Sequence, residues 1–422
     1  MMQRKTIGQL VRAIGILRLC RYKAVVNSSE KIMELGRRFP SKVLFNSLMR
    51  HTVYSQFVAG KDVASLNHVA SELAQDKVRC MLYVHVESDE KEGGSSADAA
   101  RLHEYNKSLM LEAAEQAPAN SMIQVKMTGI ASVPMMIDMS NAMRTASMLP
   151  SSDKTALLEA SRDPKSLAAV PEGVNTKYHN DIIDIQRRLH EMAEAAARRD
   201  AFIIIDAEQS YFQPAIQRLA LPVMLHWNSR SRPVIYTTIQ AYLKESRSVA
   251  QGCLRLFEEE KSRFAAKIVR GAYLKLEADR AHALGYSNPI CSSYEETNDS
   301  YNQIVRFMFD KVREDAASLM VATHNVESIT LVRDLMKLHD IHHGDGERVC
   351  FGQIYGLADH LTSDLAAHGY ITYKSVPSGP EDRVLGYLAR RAQENNAVFS
   401  RLNSELSHLQ AELLSRLPLR ST

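Results

Sequence analysis

Several apolar runs of this 422-residue chain end abruptly in residues able to do chemistry. Phe202 to Ile205 runs into Asp206-Ala207-Glu208, Ala265 to Val269 into Arg270-Gly271-Ala272-Tyr273, and Val321 to Thr323 into His324-Asn325. Later runs reach Gln353 and Tyr373-Lys374, and an earlier one carries Lys126. Such groups gathered at strand exits suit charge stabilisation and the orientation of a small polar substrate. Each alone has a plain explanation, because Asp and Asn cap helices and a strand-end lysine often just reaches water. Their repetition at one kind of position favours a functional reading. Gly271 and Ala272 add something different, since small residues at a strand exit let backbone approach a flat ligand or a phosphate.

The segment Ser378-Gly379-Pro380-Glu381 has the form of a capping box with proline in the first turn, so a helix is expected to start there. Along it Arg390 and Glu394 share a face at i, i+4, while Arg391 points roughly 100° away around the axis. On an outer surface this is a solvated ion pair. Beside the mouth of a barrel, the two guanidiniums would grip a carboxylate bidentately.

The elements that must position these groups follow from the apolar pattern. Eight strands are expected, at Cys80–His85, Ile123–Met127, Phe202–Asp206, Pro233–Thr237, Ala265–Arg270, Leu319–Thr323, Arg348–Phe351 and Tyr370–Lys374. Between them, Ala97–Glu115, Tyr178–Arg199, Asn298–Val312 and Ser328–Leu338 place apolar residues at i, i+3, i+4 and read as helices. Strands separated by helical sequence predict a parallel sheet closed into an α/β, TIM-like (β/α)8 barrel, because parallel neighbours need crossover connections. An open doubly wound sheet is the competing architecture. No G-x-G-x-x-G follows a strand, so its dinucleotide fingerprint is missing.

Three domains or segments are expected: a helical arm over 1–78, the barrel over 79–397 and a C-terminal amphipathic helix over 398–422. The stretch 149–175, with three prolines, reads as a surface insertion in the second βα connection. Leu402, Leu406, Leu409, Leu413 and Leu417 form a narrow stripe that either packs on the barrel or serves a membrane or partner helix. Basic residues and helically spaced apolar residues in the first 25 positions fit either an organelle transit peptide or a first helix of the folded protein.

The composition, 45% hydrophobic and 24% charged, is that of a soluble globular protein. A net charge of +3 gives no source for nucleic-acid binding. The five scattered cysteines form no CxxC pair and read as reduced thiols, with no metal site expected. No apolar run reaches the roughly 18 to 20 residues that a membrane helix needs.

The runs Asp206-Ala-Glu-Gln-Ser-Tyr-Phe-Gln-Pro-Ala-Ile, Lys267-Ile-Val-Arg-Gly-Ala-Tyr-Leu, Ala322-Thr-His-Asn, Phe351-Gly-Gln-Ile-Tyr-Gly and Tyr387-Leu-Ala-Arg-Arg-Ala-Gln-Glu-Asn resemble the proline dehydrogenase family, particularly its mitochondrial branch. They occur in the family's order and cover roughly residues 40 to 415. The resemblance implies a distorted barrel holding FAD non-covalently, oxidising L-proline to Δ1-pyrroline-5-carboxylate and passing electrons to a membrane quinone. It also implies peripheral association with the matrix side of the mitochondrial inner membrane. By that likeness Arg390, Arg391 and Lys126 hold the substrate carboxylate, Tyr373 packs on the proline ring, and Tyr273 and Ile354 close the pocket. Asp206, Ala207, Gln240, Lys267, Val269, Arg270, Gly271, Ala272, Thr297, His324, Asn325, Gln353 and Glu394 match positions that line the flavin. Lys267 stands where bacterial relatives have arginine. An acid after the first strand normally pairs with the first arginine, and Glu87, Asp89 and Glu90 are all candidates.

The reaction so implied moves a hydride from the ring carbon beside nitrogen to flavin N5, so positioning is most of the task. Pairing the substrate carboxylate with two arginines and a lysine offsets its desolvation, and Lys267 and Arg270 favour a reduced, anionic ring. No residue stands out as the base. The nearest alternative is a hydroxyproline dehydrogenase of the same fold, whose members carry a small serine in place of the tyrosine that packs on the ring, leaving space for the 4-hydroxyl. Tyr373 therefore favours proline. Two further readings are a Schiff-base aldolase using Lys126 or Lys374 and a non-catalytic helical interaction protein using the leucine stripe.

Overall fold

A computed structural model describes residues 2–38, 42–86, 96–145, 153–342, 348–394 and 403–417. Eight parallel strands close into a barrel in sequence order: β1 (Arg79–Val84), β2 (Met122–Val125), β3 (Phe202–Ile205), β4 (Ile235–Gln240), β5 (Phe264–Val269), β6 (Ala317–Ala322), β7 (Val349–Ile354) and β8 (Thr372–Ser378). Their near-continuous apolar character is what a sheet covered on both faces requires, and every residue of β2, β3 and β4 is buried. The expected helices also form, as Ser96–Glu115, His179–Arg198, Tyr294–Arg313 and Val326–Leu338. The chain divides into two compact units, Val86–Phe351 and Met1–His85 with Gly352–Thr422.

In Val86–Phe351, the described part of the expected surface insertion is not a bare loop. Helix Lys154–Arg162 is capped by Asp153, whose side chain accepts from the Ala156 amide, and it buries Leu157 and Ala160. Arg218, only 2% exposed, donates to the Ala168 carbonyl at 3.0 Å and fixes the following turn. The apolar residues are spaced helically, and that spacing outweighs the flanking prolines.

In the other unit, β8 runs further than expected. Pro377 lies inside it, and its carbonyl accepts from the Ala59 amide at 2.9 Å, so the missing N–H leaves the pairing with β1 intact. Consequently Ser378 ends a strand, and no capping box forms: its buried hydroxyl has no hydrogen-bond partner among the described residues, and Glu381 pairs with Arg50 at 2.6 Å. Gly379, at φ +146°, turns the chain into helix Glu381–Glu394, and a Cβ there would approach Val384 to 2.8 Å.

Both terminal amphipathic stretches are spoken for. Helix Ile7–Cys20, with a complete Thr6/Gln9 capping box, buries Leu10, Ala13, Ile14, Ile16 and Leu17. Its cluster includes Leu406 and Leu409 of helix Asn403–Arg416, so the leucine stripe packs against the N-terminal arm. Arg416 adds hydrogen bonds to the Gln3 and Lys5 carbonyls.

Candidate active site

Within Val86–Phe351, chain reversals at the strand ends bring several of the expected residues together. Lys126, immediately after β2 and 5% exposed, donates to the Tyr273 hydroxyl at 3.2 Å. Lys267 of β5 meets Asp206, just past β3, at 2.5 Å, with side chains 8% and 12% exposed. Gln240, the last residue of β4, donates to the Glu208 carbonyl at 2.7 Å. The Glu208 carboxylate in turn accepts from the Thr128 amide and hydroxyl at 3.0 and 2.7 Å, tying the exit of β2 to that of β3. Glu208 was passed over as a site residue, although a carboxylate two positions beyond a fully apolar strand is a readable sign of a buried tie.

Arg270 is the most constrained of the cations. It donates to Asn298 at 2.7 Å, Thr323 at 2.7 Å and Ser328 at 3.0 Å, and its guanidinium lies 4.2 Å from the Tyr301 ring centroid. Three neutral acceptors and an aromatic face fix the direction of this guanidinium. Val269 and Ala272 are half-buried beside it, and Gly271 has φ +141°, with Tyr242 where a Cβ would go. His324 is half-buried. The Asn325 side chain caps helix Val326–Leu338 through the Ser328 amide, and the Thr297 hydroxyl donates to the Ser293 carbonyl within its own helix. For these two side chains the plain structural role applies. Ala207 is buried.

The other unit corrects one expectation. Tyr373 is 1% exposed and pairs in register with Arg79, the first residue of β1, so it lies at the foot of the sheet and not at the C-terminal rim. Its hydroxyl accepts from Arg79 at 3.1 Å. Lys374 projects to the opposite face, with its ammonium 2.9 Å from Asp359 and bonded to the Ile354 and Leu357 carbonyls. By strand alternation Ser375 shares the face of Tyr373, about 7 Å further along the strand, and it is half-buried. It is the small residue on that face at mid-strand. The error in sequence reading was one of register, since two tyrosine-sized choices of position differ only in depth along one strand.

Gln353, 2% exposed, accepts from Thr362 at 3.2 Å, and Ile354 is 36% exposed at the end of β7. Arg390, Arg391 and Glu394 occupy the last turns of helix Glu381–Glu394, and their side chains lie outside the described residues, as do Glu87, Asp89 and Glu90. One turn earlier, Tyr387 packs 5.3 Å from Tyr83 and 5.2 Å from His85, ring centroid to ring centroid. This aromatic cluster at the end of β1 had no counterpart in the sequence reading, since its three members come from distant positions.

A parallel barrel with charged and aromatic groups at its strand exits defines an enzyme of the (β/α)8 class. Residues 66–404 match the proline dehydrogenase family, and the chain belongs to that family. It is 32% identical to the hydroxyproline dehydrogenase of Xenopus laevis, over 98% of this chain and 88% of that protein. It is 29% identical to mitochondrial proline dehydrogenase 1 of Dictyostelium discoideum, over 98% of this chain and 73% of that one. Among solved structures, proline utilization A of Bdellovibrio bacteriovorus superimposes with a TM-score of 0.67 at 15% identity, over 94% of this chain. This chain spans 39% of that longer protein, and at such identity the likeness concerns the fold.

Proposed function

We propose that the protein is an FAD-dependent dehydrogenase of five-membered imino acids that prefers 4-hydroxyproline to proline. The carrying observation is the small Ser375 on the strand face where a ring-packing tyrosine was expected, with Tyr373 withdrawn to the foot of β8. The similarity to hydroxyproline dehydrogenases along nearly the whole chain supports the same preference.

The residues fit a flavin. Lys267 and Asp206 form a buried charged pair, Arg270 is an immobilised half-buried cation, and the Thr238 hydroxyl, paired in register with Lys267, has no hydrogen-bond partner. A buried polar atom left unmatched is the kind of group that a cofactor edge satisfies. When bound, FAD supplies the acceptor for a hydride from the ring carbon beside nitrogen. Lys267 then places positive charge against the reduced ring, and Asp206 fixes the direction of its ammonium. Arg270 stands ready for the cofactor's phosphates. Lys126, held by Tyr273, would meet the substrate carboxylate. A quinone as electron acceptor, a mitochondrial address and peripheral membrane association complete the reading. The exposed apolar residues Val43, Leu44 and Leu48 and the mitochondrial relatives support it. Among the described residues no helix is long and apolar enough to cross a membrane.

The test compares kcat/KM for 4-hydroxyproline and proline in the wild type and in Ser375→Tyr. The wild type should favour the hydroxylated substrate, and the variant should shift the ratio toward proline by at least about tenfold, the scale of steric discrimination in a closed pocket. A wild type that favours proline, with a ratio untouched by the substitution, would sink the preference. A colourless protein that no added FAD turns yellow would sink the flavin reading itself.

A further inference from the structure

Val86–Phe351 contains a cavity of about 860 Å³ that extends outward from the ends of β3 and β4. It lies between helix Val133–Thr145, the first turns of helices Gln213–Trp227 and Ser246–Glu259, and the end of helix Leu274–Leu284. Its lining brings three cations, Arg144, Lys244 and Arg280, against one carboxylate, Glu245. The starts of two helices of 15 and 14 residues also face it, and the positive ends of their dipoles favour negative charge.

The three cations are not equivalent. The Arg144 guanidinium is used by the Ser210 and Tyr211 carbonyls, and the Lys244 ammonium donates to the Asn288 carbonyl at 2.9 Å. Arg280 lies flat on the Tyr211 ring, 3.8 Å from its centroid, and makes no hydrogen bond or ion pair among the described residues, while its Nε is buried. A stacked guanidinium with its donors unclaimed is an incomplete anion site. A second observation points the same way. Gln217, 5% exposed, lines the cavity, and its side-chain amide has no partner among the described residues. Buried polar groups are ordinarily satisfied, so these donors await a ligand's acceptors.

We propose that this cavity is a second small-molecule site, for a ligand carrying clustered oxyanions such as an organic phosphate or polycarboxylate, with Arg280 as its principal contact. Of the residues assigned to the flavin, Ala207, Thr238 and Gln240 also line this cavity, whereas Lys267, Arg270, His324 and Asn325 do not.

Calorimetric titration of the protein, as purified and after saturation with FAD, with pyrophosphate and separately with citrate tests this. One saturable site per chain is expected for at least one probe in the FAD-saturated protein, unaffected by chloride at matched ionic strength. Arg280→Met should weaken it at least tenfold, and Gln217→Leu a few-fold. No saturable binding of either probe overturns the proposal, as does equal affinity in Arg280→Met. Binding that vanishes on FAD saturation also overturns it, because the cavity would then belong to the cofactor. Should Arg280→Met not fold by circular dichroism, the double variant Arg144→Gln/Lys244→Gln at exposed positions decides, and unchanged affinity in it counts against the site.

Discussion

Each compact unit buries one lysine–aspartate pair. In Val86–Phe351, Lys267 within β5 and Asp206 just past β3 keep 8% and 12% of their side-chain surface exposed. In the other unit, Lys374 and Asp359 are 0% and 3% exposed, and Asp359 takes a second lysine, Lys5, at 3.1 Å. Chemically the pairs are alike. One is left partly open, as the proposed contact with a cofactor would require. The other is sealed, with two carbonyls and a second cation around it, and it ties β8, the Asp359–Ala367 helix and the N-terminal segment together. Burial of such a pair therefore does not by itself mark function.

The strongest way to break this contrast is to remove Asp359. Asp359→Ala leaves Lys374 buried without a counter-charge and should cost about 3–5 kcal/mol, read as a lowered urea midpoint. A stable, folded but inactive variant would mean that the sealed pair belongs to the chemistry after all.

Lys267→Met tests the open pair. It should slow anaerobic flavin reduction by substrate roughly 100-fold, through loss of positive charge near the ring, with a smaller effect on stability than Asp359→Ala. Stopped-flow absorbance checks the rate, and an unchanged rate removes Lys267 from the site.

Smaller effects separate the sealed pair's members. Lys5→Gln leaves Asp359 with Lys374, so it should destabilise by less than Asp359→Ala, about 1–2 kcal/mol. The pH dependence sharpens the point. Burial pushes the Asp359 carboxyl upward, but Lys374 and Lys5 outweigh it and hold it below the ordinary carboxylate range. A depressed carboxyl contributes stability above its unfolded pKa and loses it as pH falls through the folded value. Asp359, the largest influence, raises the Lys5 ammonium despite burial, so that contribution is present below the ordinary lysine value and is lost as pH rises past it. Urea midpoints for the wild type should thus decline below about pH 4, and Asp359→Asn should flatten that decline.

Much of this was legible beforehand. All eight strands were readable within a few residues, because strands covered on both faces are continuous apolar runs whose lengths are bounded by turn residues. Lys126 after β2 and Arg270 after β5 were legible for the same reason, since they stand where apolar runs stop. Depth along β8 was not: Tyr373 and Ser375 share a face, and only pairing with Arg79 shows which one sits at the foot. The Ser378 to Glu381 motif misled because a proline that would end a central strand is harmless where only its carbonyl is needed.

The sequence by itself determined the fold class, the family and the types of group at the strand exits, because these rest on local periodicity and short contiguous motifs. Only the tertiary structure decided which lysine is sealed, where Tyr373 ends up, that the terminal helices pack on each other, and that Arg280 stacks on Tyr211. Those facts depend on register and on contacts between residues far apart in the chain, which no local pattern encodes.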